Sequence, residues 1–456
     1  MAAGSLLEVR SPYSGDVVGN VPKGGRDEAH RAVDAAAAVL AEPLPAYERA
    51  QILDRVSALL VEHHDEAARL ISAEAGKPMK AARVEAQRAA STYTFAAVEA
   101  RKLAGEMIPM DASAAGAGKL AFTLRLPIGV IGAIAPFNFP LNLVAHKIAP
   151  ALAAGCPVVL KPASTTPLSA QFLAGLEKEA GLPDGWLTIV AGSAAEIGDV
   201  LVEDERVKLI TFTGSGEVGW KLAERAHRKR VKLELGNATP AIVCADAPPG
   251  AADKLAANSF SFAGQSCISV QRIFVLADAW DEFVPAFVAK VEQLKVGDPA
   301  DEDTDVGPVI SEHDRDRVLE WVRESRGEVL TGGDTTPDGL IRPTVIASPA
   351  PDDKVQCEEV FGPVVTLTKV SSLDEAIEGA NATRYGLQAA IFTRDIQSSL
   401  AAAQRLEFGG VLINEAPTFR ADQMPYGGVK ASGNTREGPA WTIREMTEER
   451  LVVLNL

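Results

Sequence analysis

Cys267 is one of only four cysteines in the chain, and it follows directly on Gly264-Gln265-Ser266. A short glycine turn either buries a small thiol or presents a reactive one. A presented thiol becomes a useful nucleophile when a base and an oxyanion donor stand beside it. Glu234 ends the apolar run VKLEL (231–235) just before Gly236. A carboxylate in that setting is a buried structural partner or a general base whose pKa burial has raised. Asn138 sits in the loop Pro136-Phe137-Asn138-Phe139-Pro140, where its amide is a turn element or a donor to an oxyanion. The three together have the makings of attack on a carbonyl carbon.

A second set of residues suits a dinucleotide. Phe212-Thr213-Gly214-Ser215-Gly216-Glu217-Val218-Gly219 follows an apolar run and opens a helical one. Free N–H groups at such a helix start, helped by the helix dipole, hold a pyrophosphate. The spacing is not GxGxxG, so a plain strand–turn–helix stays open on this feature alone. One crossover earlier, Lys161-Pro162 ends another apolar run. That places an ammonium at the carboxyl edge of a sheet, where α/β proteins bind ligands.

The elements that must position these groups are legible as an alternation. Residues 26–104 are rich in Ala, Glu and Arg with apolar residues at helical spacing, broken at Gly76-Lys77-Pro78. Short apolar runs then recur at 129–135, 157–161, 187–192, 209–214 and 231–235, separated by helical segments. This predicts βαβ crossovers and a parallel sheet covered on both faces. After Gly236 the pattern resumes at 240–245, 272–276, 364–370, 389–393 and 410–414, a second α/β unit. The segments KLAFTLRL (119–126) and RLVVLNL (450–456) stand outside both alternations. Their edges call for cover from another subunit, so a homodimer or homotetramer is expected.

Composition narrows the class. The 456 residues carry a formal charge of −16, which argues against nucleic acid and anionic membranes as partners. Cys156, Cys244, Cys267 and Cys357 are far apart, with no CxxC and no clustered histidines, so no metal site is expected. The uncharged stretch 126–145 contains Pro127, Pro136 and Pro140 together with Asn138 and Asn142. These break a membrane helix, and the reading is strand, loop and helix start. The first residues show no basic segment ahead of an apolar core, so a cytoplasmic protein is expected.

The segments APFNFPLN, LKPASTTP, FTGSGEVG, LELGN, GQSC, EEVFGPV and MPYGGVKASGNTREG occur in that order along the chain. As a set they resemble the NAD(P)-dependent aldehyde dehydrogenase superfamily, in its lactaldehyde and non-phosphorylating glyceraldehyde-3-phosphate branch. The resemblance implies an α/β fold with a Rossmann-like cofactor domain (1–115 and 129–235) and a catalytic domain (236–435). Segments 116–128 and 436–456 would form a small bridging sheet for oligomerisation. It implies Cys267 as nucleophile, Asn138 as oxyanion donor and Glu234 as the base that activates water against a thioester. NAD or NADP would lie along Ala135, Pro136, Phe137, Lys161, Ala163, Ser164 and Gly192. The pyrophosphate would meet Phe212, Gly214, Ser215 and Val218, and the nicotinamide end Leu235, Gly236, Glu359 and Phe361.

Many NAD-preferring members carry glutamate where this chain has Ser164, so NADP is admissible and NAD is not excluded. Substrate contacts are expected from Asn142 and His146 at i, i+4 on one helix face, from Ser266 and from Arg420. They point to a small polar or anionic aldehyde. Phosphate-using members resemble GQRC, whereas this chain has Ser266 at that arginine's place. Two other functions share the frame. A coenzyme A-acylating enzyme could dispense with Glu234, and a non-catalytic structural or binding protein would not need Cys267, Glu234 and Asn138 together.

Overall fold

A computed structural model describes residues 5–226 and 228–456. Its centre is two parallel sheets. The first has five strands in the order Leu187–Ile189, Val158–Lys161, Val130–Ile134, Val207–Thr213, Arg230–Glu234. Numbered along the chain this is 3-2-1-4-5, so the order reverses between Val130–Ile134 and Val207–Thr213. Their register aligns Ile134 with Phe212. The loop carrying Asn138 and the turn Gly214-Ser215 therefore leave the same carboxyl edge side by side, where such sheets open a crevice for a ligand.

The second sheet has seven strands, ordered Glu328–Thr331, Thr344–Ala347, Val364–Val370, Val270–Leu276, Thr239–Val243, Gln388–Phe392, Gly410–Ile413. All are parallel except the antiparallel edge Glu328–Thr331. The two central strands, Thr239–Val243 and Val270–Leu276, are buried but for one end residue, as continuous apolar runs require.

Lys119–Pro127 and Thr447–Asn455 pair with each other, antiparallel over nine residues, and Met107–Ile108 completes a three-stranded sheet. The expected oligomerisation segments need two corrections. Met107–Ile108 lies ahead of 116–128. The helix Pro439–Glu445 packs on the helices Met79–Lys102 and Asn142–Ala154, not in the small sheet. The hairpin Leu6–Arg10/Val17–Pro22 was not foreseen.

Helices cover the first sheet closely because alanine lines their contacts. Met79–Lys102 buries Ala82, Ala86, Ala89, Ala96, Ala97 and Ala100 against Ala46–Glu62 and Asn142–Ala154. Asn142–Ala154 is buried on every side, although it contains His146 and Lys147. The stretch 126–145 is strand end, second strand, loop and helix start, as read from its prolines. No helix of the described residues is long and apolar enough to cross a membrane.

One buried acid in this layer serves no site. Glu177 accepts a hydrogen bond from the Tyr93 hydroxyl while its Oε2 has no partner. Burial pushes its pKa up to about 8. Between the ordinary carboxylate range and that value the unfolded chain releases a proton that the native state keeps. Native stability therefore falls as pH rises, by about 1.4 kcal/mol per unit. Glu177→Gln keeps an acceptor for Tyr93 and removes this dependence. We expect the variant's Tm advantage over the parent to grow steadily from pH 5.5 to pH 8.

Candidate active site

Cys267 lies in a turn between the helix Ala251–Phe260 and the strand Val270–Leu276. Phe262, Ala263 and Gly264 all take positive φ, at 51°, 52° and 70°. Two of the three are not glycine, so the turn is strained and must be held from outside. Gln265 holds it: its Oε1 accepts Ile310 N–H at 2.8 Å, and its Nε2 donates to Pro308 O at 3.2 Å. Gly264 has no room for a side chain, because a Cβ would collide with the Gly362 carbonyl. That contact brings the 357–363 segment against the nucleophile turn.

Asn138 reaches the same turn from the other sheet. Its Nδ2 donates to Gln265 O at 3.0 Å. Its own carbonyl accepts Lys77 Nζ at 2.7 Å. Lys77 is fully enclosed, ion-paired with Glu85, and lies 3.7 Å from the Phe139 ring centroid. Glu85 Oε1 in turn accepts the Leu141 and Asn142 N–H groups at 2.9 and 3.1 Å. One buried ion pair thus ties both sides of the Asn138 loop. The Gly76-Lys77-Pro78 break was legible as a helix end, but its lysine's role was not.

Glu234, at the end of the strand Arg230–Glu234, is buried with neither carboxyl oxygen bonded. Burial, reinforced by the nearby charge of Glu437, pushes its pKa well above the ordinary range. Glu437 behaves oppositely. Burial would raise it, but Lys147 and Arg420 hold it down at about 2. Lys147 Nζ donates to Thr213 Oγ1 at 2.6 Å and lies 3.4 Å from Glu437. Arg420 Nη2 donates to Glu437 at 3.0 Å. Two carboxylates pushed in opposite directions define the one that can take a proton, Glu234, and the one that stays charged, Glu437.

A cavity of about 290 Å³ opens beside Cys267, with Asn142, Ser266 and Arg420 in its wall. His146 is not there, which corrects the expectation for it. The imidazole is buried behind Asn142, and its Nε2 is 3.0 Å from Asp422 Oδ1. Burial, with the charge of Arg420, pushes its pKa down to about 4, so the ring is neutral. The i, i+4 argument places it on the face of Asn142 but not at the same depth. Arg420 is no free guanidinium either, being tied to Glu437 and stacked 3.8 Å from the Tyr426 ring centroid. The wall also carries Arg88 and Tyr426, which the sequence did not single out.

The residues assigned to a cofactor fall along the carboxyl edge of the first sheet. Ala135 N–H donates to Lys161 O at 3.1 Å, and Ser164 Oγ donates to Gly192 O at 3.0 Å, while Pro136 and Ala163 are half-buried beside them. Gly214 and Gly219 pack on the Phe212 ring, and Leu235 packs on Gly219. Ser215 precedes the helix Gly216–Arg225 without capping it, and Val218 is exposed in the first turn. The helix start therefore keeps donors for an anion. A cavity of about 510 Å³ joins Ser215 and Gly216 to Glu359. A side chain on Gly236 would collide with Glu359, whose Oε1 accepts Asn237 N–H at 2.9 Å. Phe361, at φ 49°, meets Phe137 edge to face at 5.8 Å. Donors, a carboxylate for a ribose and room between them fit a dinucleotide.

Comparison with known proteins gives the class. Residues 1–452 match the aldehyde dehydrogenase family. The chain belongs to that family. It is an NAD(P)-dependent oxidoreductase that oxidises an aldehyde. A 3-sulfolactaldehyde dehydrogenase of Priestia megaterium is 43% identical over 453 residues, covering 99% of this chain and 95% of the relative. A lactaldehyde dehydrogenase of Methanocaldococcus jannaschii is 40% identical, covering 98% and 97%. Aldehyde dehydrogenase 21 of Physcomitrella patens, solved with the reaction product succinate, superposes with a TM-score of 0.97. It is 41% identical, covering 100% of this chain and 96% of that one. The glyceraldehyde-3-phosphate dehydrogenase GapN of M. jannaschii, complexed with NADP, gives 0.95 at 39% identity, with all of both chains covered.

In this dehydrogenase the clamp under Asn138 is testable. Lys77→Met strands the buried Glu85 charge and should cost about 3–5 kcal/mol of stability. Lys77→Met with Glu85→Gln should recover much of that loss, because no charge is left unpaired. Both variants should retain a kcat deficit of at least about tenfold, since neither restores the Asn138 tether. Denaturation midpoints and steady-state kinetics on the single and double variants measure the two effects.

Proposed function

We propose that this enzyme oxidises a short aldehyde bearing a negative charge, through a thioester on Cys267 that water hydrolyses. The observation that carries the substrate class is the cavity beside Cys267, with three cations, Lys77, Arg88 and Arg420, in its wall. Lys77 and Arg420 are each paired with a buried carboxylate. Arg88 donates to Asp422 through Nε and Nη2, at 3.2 and 2.9 Å, and its side chain is 20% exposed. Its remaining donors are available for charge-assisted hydrogen bonds to a carboxylate or sulfonate. The relatives fit: one is named for 3-sulfolactaldehyde, and a structural neighbour holds succinate.

Cys267 attacks as its thiolate: the sulfur forms the bond to the aldehyde carbon, and the carbonyl pair moves onto oxygen. Asn138 spends one amide hydrogen on Gln265, leaving the other, with the Cys267 N–H, for that oxyanion. NAD(P)+, when bound, would supply the acceptor for the hydride whose loss leaves a thioester on Cys267. Glu234, ionised, then takes a proton from water as the water attacks the thioester carbon. The thiolate leaves and the acid is released. A base poised in this way favours hydrolysis over transfer to coenzyme A. The exposed apolar face of the small sheet, with Leu120, Leu124 and Leu454, supports assembly with a second copy of the chain. Four unpaired cysteines suit a cytoplasmic enzyme.

Two experiments test this reading. Glu234→Gln should keep the first burst of NAD(P)H and slow the steady state by about 10²–10⁴. Parent deacylation should climb with pH through a midpoint above the ordinary carboxylate range, because only the ionised form accepts a proton. The variant should lack that limb, as rapid-mixing absorbance will show. Arg88→Gln still donates to Asp422 but carries no charge. It should lower kcat/KM for a four-carbon carboxylate aldehyde by about 1.5–3 kcal/mol and leave propanal nearly unchanged. Equal losses on both aldehydes would place Arg88 in a structural role.

A further inference from the structure

The Tyr426 hydroxyl lies 3.0 Å from Cys267 Sγ, and none of the steps above uses it. The phenol is buried, and one face of its ring is covered by the Arg420 guanidinium at 3.8 Å from the centroid. Arg420 is held in turn by Glu437, so the ring is fixed from outside the cavity. A cation on the ring face withdraws electron density from the phenol and makes its O–H a stronger donor.

The groups that face the sulfur pull in two directions. Glu359 and Glu234 oppose a negative charge there, whereas Tyr426 and Arg420 favour it. Desolvation outweighs both, and the thiol is pushed up to about 12. Burial also pushes the Tyr426 hydroxyl well above its usual range. Once the thiol has ionised, the phenol still holds its proton, so at 3.0 Å it is the donor and the sulfur the acceptor.

We propose that Tyr426 is a further catalytic residue, whose O–H donates to the Cys267 sulfur and stabilises its thiolate. Arg420 is the positioning residue that sets and strengthens this donor. No bond is made or broken at Tyr426. The inference rests on Cys267 being the nucleophile.

The test is the pH dependence of Cys267 alkylation by iodoacetamide in the full-length enzyme, with the modified residue identified by peptide mapping. In Tyr426→Phe the midpoint should rise by about one unit or more, the loss of a hydrogen bond to a charged group. The burst of NAD(P)H at neutral pH should slow by about tenfold or more. Arg420→Met, which leaves the hydroxyl but removes the cation, should shift the midpoint in the same direction by less. It also serves if the phenylalanine variant does not fold. An unchanged or lowered midpoint in a folded variant overturns the role of Tyr426. Undiminished dehydrogenase activity in Cys267→Ala would instead overturn the nucleophile assignment itself, whatever Tyr426→Phe does.

Discussion

A carboxylic acid buried with no hydrogen-bond partner is the costly element around which this site is built. Glu234 has both oxygens dry and unbonded. Such a group survives by holding its proton well above the ordinary carboxylate range. Everything near it controls charge. Lys147 and Arg420 keep Glu437 ionised, and that charge helps keep Glu234 neutral. Arg420 then reaches Tyr426, and Tyr426 reaches the sulfur. Glu234 and Cys267 are therefore linked by the charge of Glu437 and then by buried contacts through Arg420 and Tyr426, not through a direct bond.

The second requirement is mechanical. Asn138 and Cys267 belong to different sheets, yet the proposed chemistry requires them to bracket one carbonyl carbon to within a fraction of an ångström. The structure meets this with short tethers on a strained turn. Gln265 holds the turn, Asn138 bonds to the Gln265 carbonyl, and Lys77 with Glu85 fixes the Asn138 loop from behind. A buried ion pair is weak evidence for stability but a good device for specifying one geometry.

Much of the frame was readable in advance. Ten apolar runs became strands because a parallel sheet covered on both faces demands uninterrupted apolar residues. Of the missed strands, Thr344–Ala347 is buried throughout and too short to stand out, and two others lack that mark. Leu6–Arg10 and Glu328–Thr331 lie at edges and are half-exposed, so their sequences are mixed. In the site, Cys267, Glu234 and Asn138 could be singled out in the sequence because each sets a polar or ionisable side chain at a turn or strand end. Lys147 left a signal that was passed over: a lone lysine in the apolar helix Asn142–Ala154 must have a buried partner.

The sequence by itself determined the class of chemistry, since a thiol on a glycine turn, a strand-end carboxylate and an amide loop recur in family order. It also determined two successive α/β units, because local apolar periodicity is a property of neighbours in the chain. The tertiary structure alone decided which charges are free. His146 looked like a substrate contact by spacing and Arg420 by resemblance, but Asp422 and Glu437 pair with them. Arg88 and Tyr426 carry no local mark and gain their place only when the long stretch of chain between them folds them into one wall. Ion pairing and burial depend on partners from remote segments, and linear spacing does not encode depth.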